Sequence, residues 1–166
     1  FHIDTGFNRK NEARDAIEAA HESGFDVHVV DATQEFQHAR IYLDGNGRTR
    51  RTRQPLMDQY NHRIERELFS YTYGRVFERV LGELGLTPED SVFAQGTLYP
   101  DLIESGRTSQ KAAVIKKHHN AGGAQKAWQD AGRSLEPLAD LFKDEVRQVG
   151  EELGIADYRV WRQPFP

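Results

Sequence analysis

Two groups of residues have the types and spacing for chemistry. Lys116, Lys117, His118, His119 and Asn120 are five consecutive side chains able to donate hydrogen bonds, and Gly122-Gly123 comes just after them. No apolar core absorbs such a run. A cationic loop beside glycines suits closure over phosphate and neutralisation of charge that develops in a transition state. Asp101 and Glu104 stand three apart just beyond Pro100. If that segment is helical, both carboxylates share one side, where they can orient a metal-bound phosphate or contact a ribose or base. Equally, they are acidic residues of the kind favoured near a helix N-terminus. Spacing alone leaves both readings open. The adjacent histidines lack the separation of zinc ligands and have no third ligand nearby, so no protein-held metal is expected.

The elements that must position these groups are set by periodicity. Phe1–Asp4 is an apolar run that reads as a strand, ended by Asp4-Thr5-Gly6, with Asn8 available to cap the next helix. Ala13, Ala16, Ile17 and Ala20 recur at helical spacing within a helix over Glu12–Ser23, and Gly24 stops it. Val27, Val29 and Val30 then predict a second buried strand. Strand, helix, strand within thirty residues is the signature of a parallel crossover in an α/β domain, in which ligands sit at the carboxyl ends of the strands. Asp4-Thr5-Gly6 lies at such an end, as a ligand-edge loop or as a plain turn. Further on, Asn61–Leu84 carries a long helical stripe with a slip near Tyr73-Gly74 that permits a bend. Thr87–Asp90 forms a turn, and Ser91–Ala94 is a strand leading into Gln95-Gly96-Thr97. A short helix is expected over Gln125–Ala131. Lys143–Leu153 is another, with Val146, Val149 and Leu153 facing inward and Gly154 ending it.

Composition sets the outer bounds. The 166 residues suit one domain, and 37% hydrophobic with 29% charged residues describes a globular chain without a membrane span. A net charge of -4 gives no overall attraction to nucleic acid. The positive charge is local: Arg48, Arg50, Arg51 and Arg53 fall after an Ile41-Tyr42-Leu43 strand and an Asp44-Gly45-Asn46-Gly47 turn, which predicts a hairpin over about 40–60. Those arginines are either a solvated insertion or a contact for phosphate or a partner. No aromatic residues are interleaved to stack on bases, so nucleic acid is not the expected partner. The absence of cysteine excludes disulfides and thiolate chemistry and is compatible with a reducing cytoplasm. Neither a Gly-x-Ser-x-Gly elbow nor a Walker-type glycine loop is present.

The run Ala94-Gln95-Gly96-Thr97-Leu98-Tyr99-Pro100-Asp101-Leu102-Ile103-Glu104-Ser105, together with Ile115-Lys116-Lys117-His118-His119-Asn120, closely resembles the ATP-pyrophosphatase domain of glutamine-hydrolysing GMP synthases. Asp4-Thr5-Gly6 with Arg9-Lys10-Asn11-Glu12, Glu136-Pro137-Leu138 with Leu141–Arg147, and Trp161-Arg162 with Pro164-Phe165-Pro166 match in the same order. The resemblance implies a parallel twisted sheet with helices on both faces, of the N-type ATP-pyrophosphatase kind. It implies ATP and Mg2+ as cofactors and xanthosine monophosphate (XMP) as the substrate, aminated to GMP by ammonia from a glutaminase domain or subunit. By motif match, Lys116, His118, His119 and Asn120 form a lid over the nucleotides, and Asp101 and Glu104 are its acidic partners. Ile3, Asp4, Thr5 and Gly6 border the adenine of ATP, Gln95, Gly96 and Thr97 lie beside ATP, and Arg162 lies near XMP.

The resemblance also implies that residues 1–166 are part of a domain whose first strand and Ser-Gly-Gly-x-Asp-Ser pyrophosphate loop precede Phe1. The glutaminase domain and a C-terminal domain through which the family forms homodimers are expected outside these residues, and the fragment alone is expected to be inactive. The chain departs from the family at Gln163, where His is usual, at Lys117, where Ser or Thr is usual, and in the arginine-rich hairpin. These departures leave room for a divergent amidoligase with another substrate, or for a non-catalytic nucleotide-binding module.

Overall fold

The computed structural model describes residues 1–104 and 127–162. It is mixed α/β and divides into two compact units, Phe1–Gly85 and, from Leu86 on, the rest of the described chain.

In the first unit, β1 (His2–Asp4) and β2 (Val29–Asp31) pair in parallel, with Ile3 opposite Val30 and Asp4 opposite Asp31. The crossover between them is α1 (Glu12–Glu22). Its small face, Ala13, Ala16, Ile17 and Ala20, is half-buried, as the spacing predicts. Gly24, at φ +82°, turns the chain out of the helix. The helix start differs from expectation. Asn8 does not cap it; its side-chain amide instead donates to Asp4 Oδ1. The buried Glu12 takes the capping role, accepting the Arg9 N–H at 3.0 Å, where a carboxylate also meets the positive end of the helix. Val27 lies outside β2, because the first ladder bond runs from His2 N–H to the His28 carbonyl.

A short helix, α2 (Thr33–Gln37), comes next and buries Phe36 completely, its ring 4.9 Å from that of Phe69. The predicted hairpin forms as β3 (Ile41–Leu43) and β4 (Thr49–Arg51), with Tyr42 opposite Arg50. Asp44 organises its turn by accepting from the Asn46 and Arg48 N–H groups and from Arg50 Nε. These bonds, that of Arg48 foremost, hold its carboxyl below the usual carboxylate range.

After a 3-10 turn at Leu56–Asp58, α3 (His62–Glu83) runs unbroken through Tyr73-Gly74, where Gly74 is buried. Asn61 caps it by accepting the Arg63 and Ile64 N–H groups. Leu68, Val76, Phe77, Val80 and Leu81 on this helix form the core with Ile3, Val30, Ala32, Phe36 and Leu56. Each large side chain buried there contributes about 1.5–3 kcal/mol of apolar transfer.

In the second unit, β5 (Phe93–Ala94) pairs in parallel with β6 (Ser134–Leu135). Between them lie α4 (Tyr99–Glu104) and, at 127–130, the helical turn α5. Trp128 on α5 is buried and donates through Nε1 to Ser91 Oγ at 3.0 Å, with its ring 6.5 Å from Phe93. Further along the described chain come α6 (Lys143–Glu152) and α7 (Asp157–Val160). A Cβ on Gly150 would sit 3.3 Å from Val160 Cγ2, so the small residue lets α7 approach α6 on that side. The apolar spacing of α6 predicts Val149 and Leu153 facing inward, but they are 37% and 74% exposed, because α7 packs over Gly150 instead. Among the described residues, no helix is long and apolar enough to cross a membrane.

Candidate functional site

The first set of candidate residues sits where β1 and β2 end together. Ala32 N–H donates to the Asp4 carbonyl at 2.9 Å, the last bond of the ladder. Asp4 Oδ1 then accepts the Gly6 N–H at 3.0 Å, and Thr5 Oγ1 accepts the Phe7 N–H at 3.3 Å. Both are local side-chain turns that bend the chain sharply away from the strand. Gly6 is required twice over. Its φ is +73°, and a Cβ there would fall 2.6 Å from Thr33 Cγ2. Ile3 and Thr5 are buried, which leaves Asp4 and the exposed Gly6 as the parts of this turn open to a ligand.

Sequence reading does not single out the neighbouring strand end. Asp31 closes β2 as Asp4 closes β1, and its Oδ1 accepts the Thr33 N–H at 2.9 Å. Hydrogen bonds from Thr33, the backbone one first, lower the Asp31 carboxyl pKa. The signal is present as a repeated pattern: Ile3-Asp4-Thr5 and Val30-Asp31-Ala32-Thr33 both place an Asp at a strand end and a Thr within two residues.

The second set lies just beyond β5. Gln95 N–H donates to the Leu135 carbonyl at 2.9 Å, and its side-chain amide reaches Ser134 Oγ at 3.4 Å, so Gln95 is tied to β6. Gly96 is exposed with open space around it, and Thr97 is half-buried. The condition attached to Asp101 and Glu104 is met: the segment is helical, which places Glu104 one turn on from Asp101. Asp101 Oδ2 accepts the Leu98 N–H at 2.9 Å, closing the start of α4 from within. The helix-start reading therefore describes one oxygen of Asp101, and the half-buried carboxylate has a second. Tyr99 fixes the start of α4 through its N–H to the Leu141 carbonyl and an edge-to-face contact with Phe142 at 5.2 Å.

Arg162 is exposed just beyond Trp161. Trp161 Nε1 donates to Glu151 Oε1 at 2.8 Å, and the Arg147 guanidinium lies over its ring at 4.8 Å, so the attachment to α6 is polar and charged. This fixes the backbone that carries Arg162. Lys116, His118, His119 and Asn120, together with Lys117 and Gln163, lie outside the described residues. Among the described residues, no group of three metal-ligating side chains comes together.

No protein-family model matches the chain. It is 42% identical over 167 residues to a GMP synthase [glutamine-hydrolyzing] of Dictyostelium discoideum, a match that covers 99% of this chain and 23% of that protein. It is 39% identical over 165 residues to the glutamine-hydrolysing GMP synthase of Clostridium perfringens, covering 99% of the chain and 28% of the relative. The protein of the same name from Nitratidesulfovibrio vulgaris is 37% identical, with the same coverage of each chain. The chain thus spans about a quarter of the length of the curated relatives it matches. Along nearly its whole length, it is similar to part of a glutamine-hydrolysing GMP synthase.

Proposed function

We propose that this chain is the core of the ATP-pyrophosphatase domain of a GMP synthase, and that in the whole protein it serves the ATP-dependent amination of XMP to GMP. The observation that carries this reading is identity of 37–42% along 99% of the chain to enzymes named for that activity. The parallel strand pairs, each with a candidate loop at its carboxyl end, support the N-type ATP-pyrophosphatase fold.

In the proposed reaction, the C2 oxygen of XMP attacks the α-phosphorus of ATP, a P–O bond to pyrophosphate breaks, and an adenylylated XMP results. Ammonia from the glutaminase part of the protein then forms the new bond at C2. The C–O bond breaks, and AMP leaves with the former C2 oxygen. Little covalent chemistry falls to the protein; it must align the two nucleotides and balance charge. By the family resemblance, Ile3, Asp4, Thr5 and Gly6 border the adenine of ATP, Gln95, Gly96 and Thr97 lie beside ATP, and Arg162 lies near XMP. Lys116, His118 and His119 close over both nucleotides and offset the charge that builds on the transferring phosphorus, while Asn120 supplies a neutral donor. Asp101 and Glu104 serve as the lid's acidic partners at the substrate.

Magnesium would arrive on the triphosphate and shield its charge. The described residues assemble no site that would hold the ion by themselves. The reading also carries a homodimer through a C-terminal domain and a cytoplasmic setting.

The test uses the intact protein with XMP, ATP, Mg2+ and ammonium. AMP and GMP should appear in equal amounts, and a lack of XMP-dependent AMP release would overturn the proposal. Lys116→Ala and His119→Ala should each lower turnover by at least about tenfold, the scale of about 1.4 kcal/mol of transition-state stabilisation. Unchanged turnover in both would remove the lid from the mechanism.

A further inference from the structure

The sequence leaves the arginine-rich hairpin open to two readings, and the structure divides its residues between them. Arg50 is committed to the turn through its 2.8 Å ion pair with Asp44. Strand alternation turns Arg51 to the opposite face, across from Ile41. There it lines a groove of about 330 Å³ with Arg40, Arg75, His38, Tyr71 and Thr72. Three stretches of chain converge on it: the segment after α2, the β3–β4 hairpin and the middle of α3.

The charge balance of this groove is one-sided. Arg40, Arg51 and Arg75 contribute three fixed positive charges. Arg40 donates to the Arg53 carbonyl, which orients it without neutralising it. Arg51 and Arg75 form no ion pair among the described residues. The one carboxylate in the lining, Glu35, is held by Arg79 at 2.6 Å. Three guanidinium groups brought to one concavity repel each other, and that cost is relieved when an anion enters. Guanidinium forks match phosphate oxygens two at a time. Tyr71 and Ile41 offer ring and aliphatic surface, and the buried Thr72 adds a hydroxyl. The volume falls at the lower end of small-ligand sites, which run from about 300 to 1,000 Å³.

We propose that this groove binds a free phosphate-bearing small molecule of nucleotide size, through Arg40, Arg51 and Arg75 on its phosphate and Tyr71 on its apolar part. The proposal is independent of the catalytic reading, because it rests on residues that reading does not use.

The probe is ADP, and the readout is hydrogen–deuterium exchange in the full-length protein, which reports binding locally. ADP should slow exchange in peptides covering β3–β4 and the middle of α3. Arg51→Gln with Arg75→Gln should weaken that protection by at least about tenfold, as expected for losing two charge-assisted contacts. Arg48→Gln with Arg53→Gln, on the same hairpin but outside the groove, should change it by less than about threefold. No protection by ADP, or equal loss in both double variants, would overturn the proposal. So would tighter protection by a single-stranded RNA oligomer that depends on all four arginines alike, since that is the behaviour of a diffuse basic face. If the groove double variant unfolds, Arg51→Gln alone decides: its side chain stands on an exposed strand, and undiminished protection would again overturn the site.

Discussion

Each unit brings two short parallel strands together and turns the chain at their carboxyl ends, yet the two are held in different ways. In the first unit, β1 and β2 rest on a buried apolar set dominated by one face of α3, and the turn after β1 is closed by Asp4, Thr5 and Gly6 themselves. In the second unit, the strands are two residues long, and Trp128 is the buried hydrophobic residue among those described. Order there comes from polar bonds: Asp101 to Leu98 N–H, Tyr99 N–H to the Leu141 carbonyl, and Glu145 to Phe142 N–H. Among the described residues, apolar burial is concentrated in the first unit, while most of the described candidate residues sit in the second. A strand-end turn can thus be held either by packing beneath it or by hydrogen bonds from its own side chains and backbone, which is the lesson of the difference.

The contrast can be broken first at the core. Leu68→Ala removes a fully buried side chain from α3 and should cost about 2–5 kcal/mol in urea unfolding. The same change at Leu153, which is 74% exposed, should stay within about 0.5 kcal/mol. Comparable losses would show that the second unit leans on apolar packing as heavily as the first.

A smaller effect is expected at the turn after β1. Gly6→Ala combines a left-handed φ with a clash against Thr33, whereas Gly24→Ala has a similar φ and open space. Thermal unfolding should show Gly6→Ala costing about 2 kcal/mol and Gly24→Ala about half as much. Equal costs would mean that backbone conformation alone, and no tight packing against α2, shapes this strand end.

The third substitution separates the two roles of Asp101. Asp101→Asn keeps an oxygen for the Leu98 N–H and removes the charge. It should leave the unfolding midpoint nearly unchanged while turnover falls about tenfold. A turnover that matches the native chain would reduce Asp101 to a helix-start residue.

Much of this frame is legible in the sequence where a period is long enough to read. α1 and α3 obey their apolar spacing, and the hairpin obeys its Asp-Gly-Asn-Gly turn. α2 escapes because five residues with one apolar anchor carry no period; only the Phe36–Phe69 contact reveals why it forms. Leu153 misleads because a helical stripe shows which residues share a face, and says nothing of whether another element covers it. At the candidate site, Asp4-Thr5-Gly6 and the Asp101 spacing are readable as local chemistry. The pairing of Asp4 with Asp31, and the separation of Arg50 from Arg51, need strand register. The assignment of Lys116, His118, His119 and Asn120 as a lid rests on motif alone, and they lie outside the described residues.

The central claim, that XMP is activated through its own C2 oxygen, is tested most directly by isotope transfer in the intact protein. XMP labelled with 18O at C2 is supplied with ATP, Mg2+ and ammonium, and the AMP formed is examined by mass spectrometry. The account predicts AMP carrying the 18O in its phosphoryl group and GMP without it. AMP that forms without the label would contradict it.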